Sequence, residues 1–369
     1  MGVPLLRGPR RCGARPIGVD LARVLTAGQT PAVATRKLQT VDAFVVIDLP
    51  DAEHAVGVLR LAPKVLVDGA ALLARSLTYQ FASFAMPVSG ASAAVNAPAD
   101  GRDAAIEAFV AEIQPDVAAG RLLLDAAKGV ADDDLAPLRA VDPRPALAFA
   151  TRHDLAGATA AAATEVAAGG LGGTRIALEV LDAASVAFAT AATAAGGSVV
   201  AIGGTGGSIA SPDGYDPEQL RAALHEHGAE AFATLGNPVK AWITAADVDV
   251  LAVGSKAGIV THEVAAGVTA RVVVPTAPVP VTARGLAVLT RSGTTYVPDF
   301  LALAGPSFAI TDSSGAGADQ LRDQATAAVV EAMIEAAAHP DGLFLGACAR
   351  AEGFLGTWTE TLPFGRPLA

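Results

Sequence analysis

Hydrophobic positions in this chain fall into short clusters separated by glycine, proline and aspartate, and strand-like and helix-like spacings alternate along it. Residues 41–48 (VDAFVVID) are a β-branched and aromatic run of strand length, closed by Pro50-Asp51. Ala55 to Leu61 is a second strand candidate. From Asp68 to Leu77 the apolar residues recur at helical spacing. That helix is expected to end near Thr78-Tyr79-Gln80, before a loop through Pro87, a Gly/Ser turn, and a short strand at Ala93 to Asn96. Asp103 to Ile113 predicts a helix with Ile106, Phe109, Val110 and Ile113 on its apolar side. Residues 120–138 read as a strand and then a helix.

Pro143 and Pro145 mark a domain boundary. Beyond them Leu155 to Ala167 is an Ala-rich helix, and Gly169 to Gly173 is a break. Thr174 to Glu179 (strand), Ala184 to Ala195 (helix) and Ser198 to Ile202 (strand) then have the length of a dinucleotide-type βαβ unit. A strand follows at Val248 to Ala252. Thr311 to Asp319 is a small-residue linker, and Gln320 to Ala338 is a long helix expected to return across both domains. The tail from Leu343 to Ala369 is poorly specified, and docking on a domain or subunit surface is expected for it.

The predicted fold class is therefore α/β. An extension covers 1–35, an N-terminal α/β domain 36–145, a Rossmann-like doubly wound domain 146–312, and a C-terminal helix and tail 313–369. A chain of 369 residues is long enough for two cores.

Composition narrows the function classes. Hydrophobic residues at 52% against 17% charged exclude a disordered chain. The mean hydropathy of +0.44 raises a membrane question, but no apolar run reaches the roughly 18 residues a spanning helix needs. A net charge of −11 argues against nucleic acid. Two cysteines, Cys12 and Cys348, fit a reducing cytoplasm with neither a disulfide framework nor a zinc site. The Arg-rich start lacks a long apolar segment, so a secretory signal is not expected.

Several segments, in order, resemble the glutamate/leucine/phenylalanine/valine dehydrogenase family. LLARSLTYQ…MPVSGASAAV is similar to the family's substrate segment "LARxMTYK…GLPxGGGKxxI", retaining Leu73-Ala74-Arg75, Thr78-Tyr79, Pro87 and Gly90. Residues 41–48 and Ala55 to Leu61 together resemble the family's "DAFxVID…GPALGGxR" hairpin, with Arg60 on its arginine and Gly57 remaining of its two glycines. GRLLLDAAKGVADDDL resembles "GRYxxAEDVGTxxxDM", SPDGYDPEQL resembles the turn and helix start "xPDGLDPxxL", and YVPDFLALAG resembles "YAPDFVVNAGG". The resemblance runs from about Val41 to Ala309. It implies a substrate and oligomerisation domain followed by a dinucleotide domain, with the site in the cleft between them. The implied reaction is oxidative deamination of an amino acid with NAD(P) as cofactor.

The positions that carry that chemistry are changed. Gln80 stands for the lysine that holds the substrate carboxylate, Ser92 for the acid/base lysine, and Ala127 for the catalytic aspartate. Lys128, next to Ala127, points to the opposite side if the strand continues. The glycine fingerprint after the first Rossmann strand is replaced by Val180, Leu181, Asp182, Ala183, Ala184 and Ser185. A Cβ at each glycine position blocks backbone approach to a pyrophosphate, and Asp182 reads as a helix N-cap. No acid ends the second strand, where Gly203, Gly204, Thr205, Gly206 and Gly207 form either a plain turn or an anion cradle. Thr151 falls on a threonine near the nicotinamide, while Pro278 and Leu303 replace family asparagines. Ser89 to Ser92, with Gly90, are expected to line the old substrate cleft. The pairs His153-Asp154 and His262-Glu263, and the trio His225-Glu226-His227, suggest no metal site.

The resulting expectation is a catalytically impaired family member that acts as a regulatory or structural partner, as a homo-oligomer or with a related dehydrogenase. Two alternatives stay open: an active oxidoreductase with an altered site, and a small-ligand sensor using the cleft.

Overall fold

Two β-sheets, each flanked by helices, organise the chain. The structure is a computed structural model and describes residues 34–204, 206–360, 362 and 365–369. The readings made for the extension, up to residue 33, and for Cys12 lie outside those residues.

The first sheet contains β1 (Ala34–Lys37), β2 (Ala43–Ile47), β3 (Ala55–Ala62), β4 (Ser89–Asn96) and β5 (Leu122–Ala126), in the order β1-β2-β4-β3-β5. Helix α1 (Val67–Ala82) joins β3 to β4, and α2 (Arg102–Ala118) joins β4 to β5. Strands β3, β4 and β5 run parallel, whereas β1, β2 and β4 pair antiparallel. The expected hairpin of the first two runs does not form, because β4 lies between them. A parallel β3–β4 pair needs a crossover, and α1 supplies it. One face of the sheet packs on α2 through Leu59, Leu122 and Leu124 against Phe109 and Ile113. The other packs on α1, where Ala70 and Ala74 meet Phe44, Val46 and Ala94.

Short helices α3 (Ala136–Arg139) and α4 (Ala146–Ala150) lead to α5 (Arg152–Ala168). The second sheet follows: β6 (Arg175–Leu178), α6 (Ala183–Ala194), β7 (Ser198–Gly204), β8 (Gly207–Tyr215), α7 (Pro217–His227), α8 (Ala231–Thr234), β9 (Val250–Val253), α9 (His262–Ala266), β10 (Val272–Pro275), α10 (Ala283–Ser292) and β11 (Thr295–Tyr296). Its order is β11-β10-β9-β6-β7-β8, parallel except for β8. Nearly continuous apolar strands such as VLAV and VVVP are what a sheet covered on both faces requires. Helices α11 (Asp299–Ala302), α12 (Gly305–Thr311), α13 (Ala318–Ala337) and α14 (Leu343–Trp358) complete the chain.

Four further expectations change. Helix α1 runs to Ala82, and the Gly/Ser stretch 89–92 is the start of β4 rather than a turn. Residues 211–214 belong to β8, not to a turn. The tail contains α14, whose Phe344, Cys348, Ala351 and Leu355 are buried in the second core. No described helix is long and apolar enough to cross a membrane.

Candidate functional site

The frame of the substrate-type segment is a close contact between α1 and β4. Gly90 donates its N–H to Thr78 Oγ1 at 2.9 Å. A Cβ on Gly90 would lie 1.8 Å from the Ala74 carbonyl oxygen, so only glycine lets the helix and strand approach this far. Arg75 and Asp48 form a buried bidentate pair, with both Asp48 oxygens 2.8 Å from Nε and Oδ1 2.7 Å from Nη2. Arg75 also reaches the Gly365 carbonyl oxygen at 2.7 Å. Tyr79 stacks edge-on against Phe300 and donates its hydroxyl to Glu352 on α14. The retained residues of this segment are therefore scaffold.

The replaced residues are engaged elsewhere. Gln80 is buried and donates through Nε2 to Ser307 Oγ on α12 at 2.8 Å. Ser89, expected to line a cleft, is fully buried: it accepts the Leu49 N–H at 2.9 Å and donates to the Gly90 carbonyl oxygen. Ser92 is buried too, with Arg60 Nη2 at 3.5 Å. Ala127 follows β5 and hydrogen-bonds to Leu59, and Lys128 beside it is exposed. Near them Asp125 and Asp142 hold Arg139 and Arg144, whose guanidinium groups lie 4.0 and 4.6 Å from the Phe149 ring centroid. Cation, anion and aromatic face satisfy one another at the end of the first domain.

In an open α/β sheet a nucleotide would sit outside the C-terminal ends of β6 and β7. Here several of the chain's own contacts lie at those strand ends. Asp182 caps α6: its Oδ1 accepts the Ser185 N–H at 2.8 Å, and Ser185 Oγ accepts the Asp182 N–H at 2.9 Å. Burial raises the Asp182 carboxyl above its usual range, and the Ser185 bonds oppose that shift. Val180 and Leu181 are half-buried, Ala183 is exposed, and Ala184 and Ser185 lie in the first turn of α6. Glu179, the first residue after β6, accepts the backbone N–H groups of Gly254 and Ser255 and the Ser255 hydroxyl at 2.6 Å.

Gly203 and Gly204 end β7 and pair with Ser208 and Gly207 of β8. A Cβ on Gly203 would meet Ile243 Cγ2 at 2.9 Å, and one on Gly204 would meet the Phe232 ring at 2.5 Å. A diphosphate does not fit at the N-terminus of α6. A carboxylate already takes its donor, no glycine opens the backbone, and two apolar side chains press on the end of β7.

Thr151 turns its hydroxyl to the Leu147 carbonyl oxygen at 2.7 Å. Pro278 is half-buried, and Leu303 is buried in the second core. His153, Arg221 and His225 line a groove of about 310 Å³ between α5, α6 and α7. Among the described residues no group of three or more His, Cys, Asp or Glu is placed to hold a metal.

Two features are missing from the site candidates that the sequence offers, although Tyr296 and Asp299 lie in the YVPDFLALAG segment. One is the pair Phe232 and Ile243. The other is a buried network around Asp299, which receives Ser76 Oγ at 2.6 Å, the Val279 N–H at 2.8 Å and the Tyr296 hydroxyl at 3.2 Å. Val279 is held at φ 55°, rare for a β-branched residue, and its bond to Asp299 anchors that conformation. Burial raises the Asp299 carboxyl above its usual value, against the three donors. A raised folded-state value means the group's stabilising contribution is complete below the unfolded pKa of about 3.9 and fades as pH rises through the folded one. Melting curves of wild type and Asp299→Asn from pH 4 to 8 should show the wild type losing stability relative to the variant as pH rises. Parallel curves would contradict this.

Residues 155–314 match the family model for glutamate/leucine/phenylalanine/valine dehydrogenase. No curated protein matches the sequence. Among solved structures, the chain is similar to the hetero-hexameric glutamate dehydrogenase of Thermus thermophilus in its Leu-bound form. The TM-score is 0.74 at 22% identity, covering 90% of this chain and 89% of that one. It is also similar to the Plasmodium falciparum glutamate dehydrogenase (TM-score 0.69, 13% identity, 85% and 77% covered). A third match is the Peptoniphilus asaccharolyticus enzyme (TM-score 0.64, 14% identity, 86% and 87% covered).

Proposed function

We propose that this chain, whose residues 155–314 match the family model for glutamate/leucine/phenylalanine/valine dehydrogenase, is a catalytically impaired member of that family that acts as a regulatory or structural partner in an oligomer. The observation that carries this reading is the self-filled crevice at the ends of β6 and β7, formed by Asp182, Glu179, Phe232 and Ile243. The substrate side supports it: Gln80, Ser92 and Ala127 stand where the resemblance implies two lysines and an aspartate. Losing an acid/base group typically lowers a rate about 10²–10⁴-fold. The α1–β4 frame, by contrast, is intact. A hetero-hexameric assembly is a property of the Thermus thermophilus structure, and a mixed oligomer with a related dehydrogenase is the corresponding arrangement for this chain.

A fluorescence titration of the purified protein with NADH and NADPH tests this. No saturation up to about 1 mM, an affinity near 4 kcal/mol, is expected. Micromolar saturation followed by amino-acid-dependent turnover would replace this reading with that of an active oxidoreductase. A second reading, a small-ligand sensor, is favoured by one observation: a half-buried guanidinium on the cleft side of the first sheet, Arg60, makes no ion pair among the described residues.

A further inference from the structure

Arg60 lies in the middle of β3, with Val58 and Ser92 on the same face of the sheet. Helix α1 covers that face over β2 and β4, where Ala70 and Ala74 pack on Phe44, Val46 and Ala94. Towards β5 the cover ends, and Val58, Arg60, Asp125 and Ala127 are half-buried rather than buried. Asp125 is already held by Arg139 and Arg144 and offers Arg60 nothing. Arg60 Nε is buried without a hydrogen-bond partner, and the nearest polar contact of the head group is Ser92 Oγ, 3.5 Å from Nη2. A guanidinium withdrawn from water with an unmet donor is unfavourable unless an anion completes it.

We propose that Arg60 and Ser92 form a binding site for a small monocarboxylate. The guanidinium presents Nε–H and an Nη–H on one edge, a fork that matches a planar carboxylate. The Ser92 hydroxyl supplies a third donor, and a single unneutralised positive charge suits a single negative one. Nε and Ser92 are both closed to solvent in this conformation, so full engagement needs the Arg60 side chain to rotate and uncover the Ser92 hydroxyl. The site differs from the one the family resemblance implies: the carboxylate-holding position, Gln80, is tied to Ser307, and the anion would rest where an acid/base lysine is missing. The proposal rests on the ligand-binding reading of the cleft.

The test uses the full chain and its melting temperature, titrated with sodium acetate against sodium chloride at equal ionic strength, and separately with inorganic phosphate. Acetate should raise the melting temperature saturably by about 2–4 °C beyond chloride. Arg60→Gln should abolish the rise, Arg60→Lys should keep part of it, and Ser92→Ala should weaken it. Ser92→Ala removes one buried atom and keeps the test readable if Arg60→Gln does not fold. A rise no larger than with chloride, or one unchanged in both Arg60→Gln and Ser92→Ala, would overturn the site. An equal rise with phosphate would overturn its preference for a carboxylate. Dinucleotide-dependent turnover would defeat the non-catalytic reading and leave these shifts to be judged by themselves.

Discussion

Replacing Asp48 with alanine will lower the unfolding free energy by about 3–5 kcal/mol, the largest loss expected from a single side chain in the first domain. The Asp48 side chain is fully buried and that of Arg75 is 8% exposed, so neither ion has water to fall back on. Deleting the carboxylate removes the counter-ion bound twice by a buried guanidinium, which keeps its bond to the Gly365 carbonyl oxygen. The double change Asp48→Leu with Arg75→Met should cost far less, because no charge is then stranded. Denaturant midpoints at constant slope measure both. A single-variant loss below about 0.5 kcal/mol would show that the pair is solvated, contrary to the geometry.

Gly90→Ala is the second large effect, expected to destabilise by about 3 kcal/mol or more. The new carbon would stand 1.8 Å from the Ala74 oxygen and 2.6 Å from the Thr78 nitrogen, both backbone atoms of a helix that cannot yield locally. Helix α1 must shift as a body, which also strains the Gly90–Thr78 hydrogen bond and the Tyr79 contact with Phe300. Gly69→Ala is the control: it lies in the same helix with nothing within 4 Å of the added carbon. That change should stabilise by about 0.5–1 kcal/mol, because alanine forms helix better than glycine. Equal melting temperatures for Gly90→Ala and wild type would refute the close packing.

The sequence revealed what depends on local periodicity and what depends on fixed motif spacing. The βαβ unit at 174–202 was legible because its strands are pure apolar runs and its helix starts at a capping aspartate, and the Asp182–Ser185 capping box is present. Sheet order was not legible. β2 and β3 are adjacent in sequence and look like a hairpin, yet the partner between them arrives through the α1 crossover. In the site, type changes at Gln80, Ser92 and Ala127 were visible, but their new partners were not. The bond from Gln80 to Ser307 joins residues 227 positions apart. Phe232 and Ile243 lie in a segment that carries no motif, and their position over Gly203 and Gly204 is a purely tertiary fact. Ser89 misled for the opposite reason: a small polar residue in a Gly/Ser run suggests a turn, but its hydroxyl closes internal hydrogen bonds inside a buried strand.

A nucleotide-binding crevice that relies on a diffusible ligand is stabilised in proportion to the logarithm of that ligand's concentration. Phe232 and Ile243 are covalently part of the chain, so the contacts they make at the end of β7 are always supplied. On the proposed non-catalytic reading, the stability of this half of the protein does not follow the concentration of a cofactor, and in the proposed oligomer this chain would keep its shape whether or not its neighbours carry one.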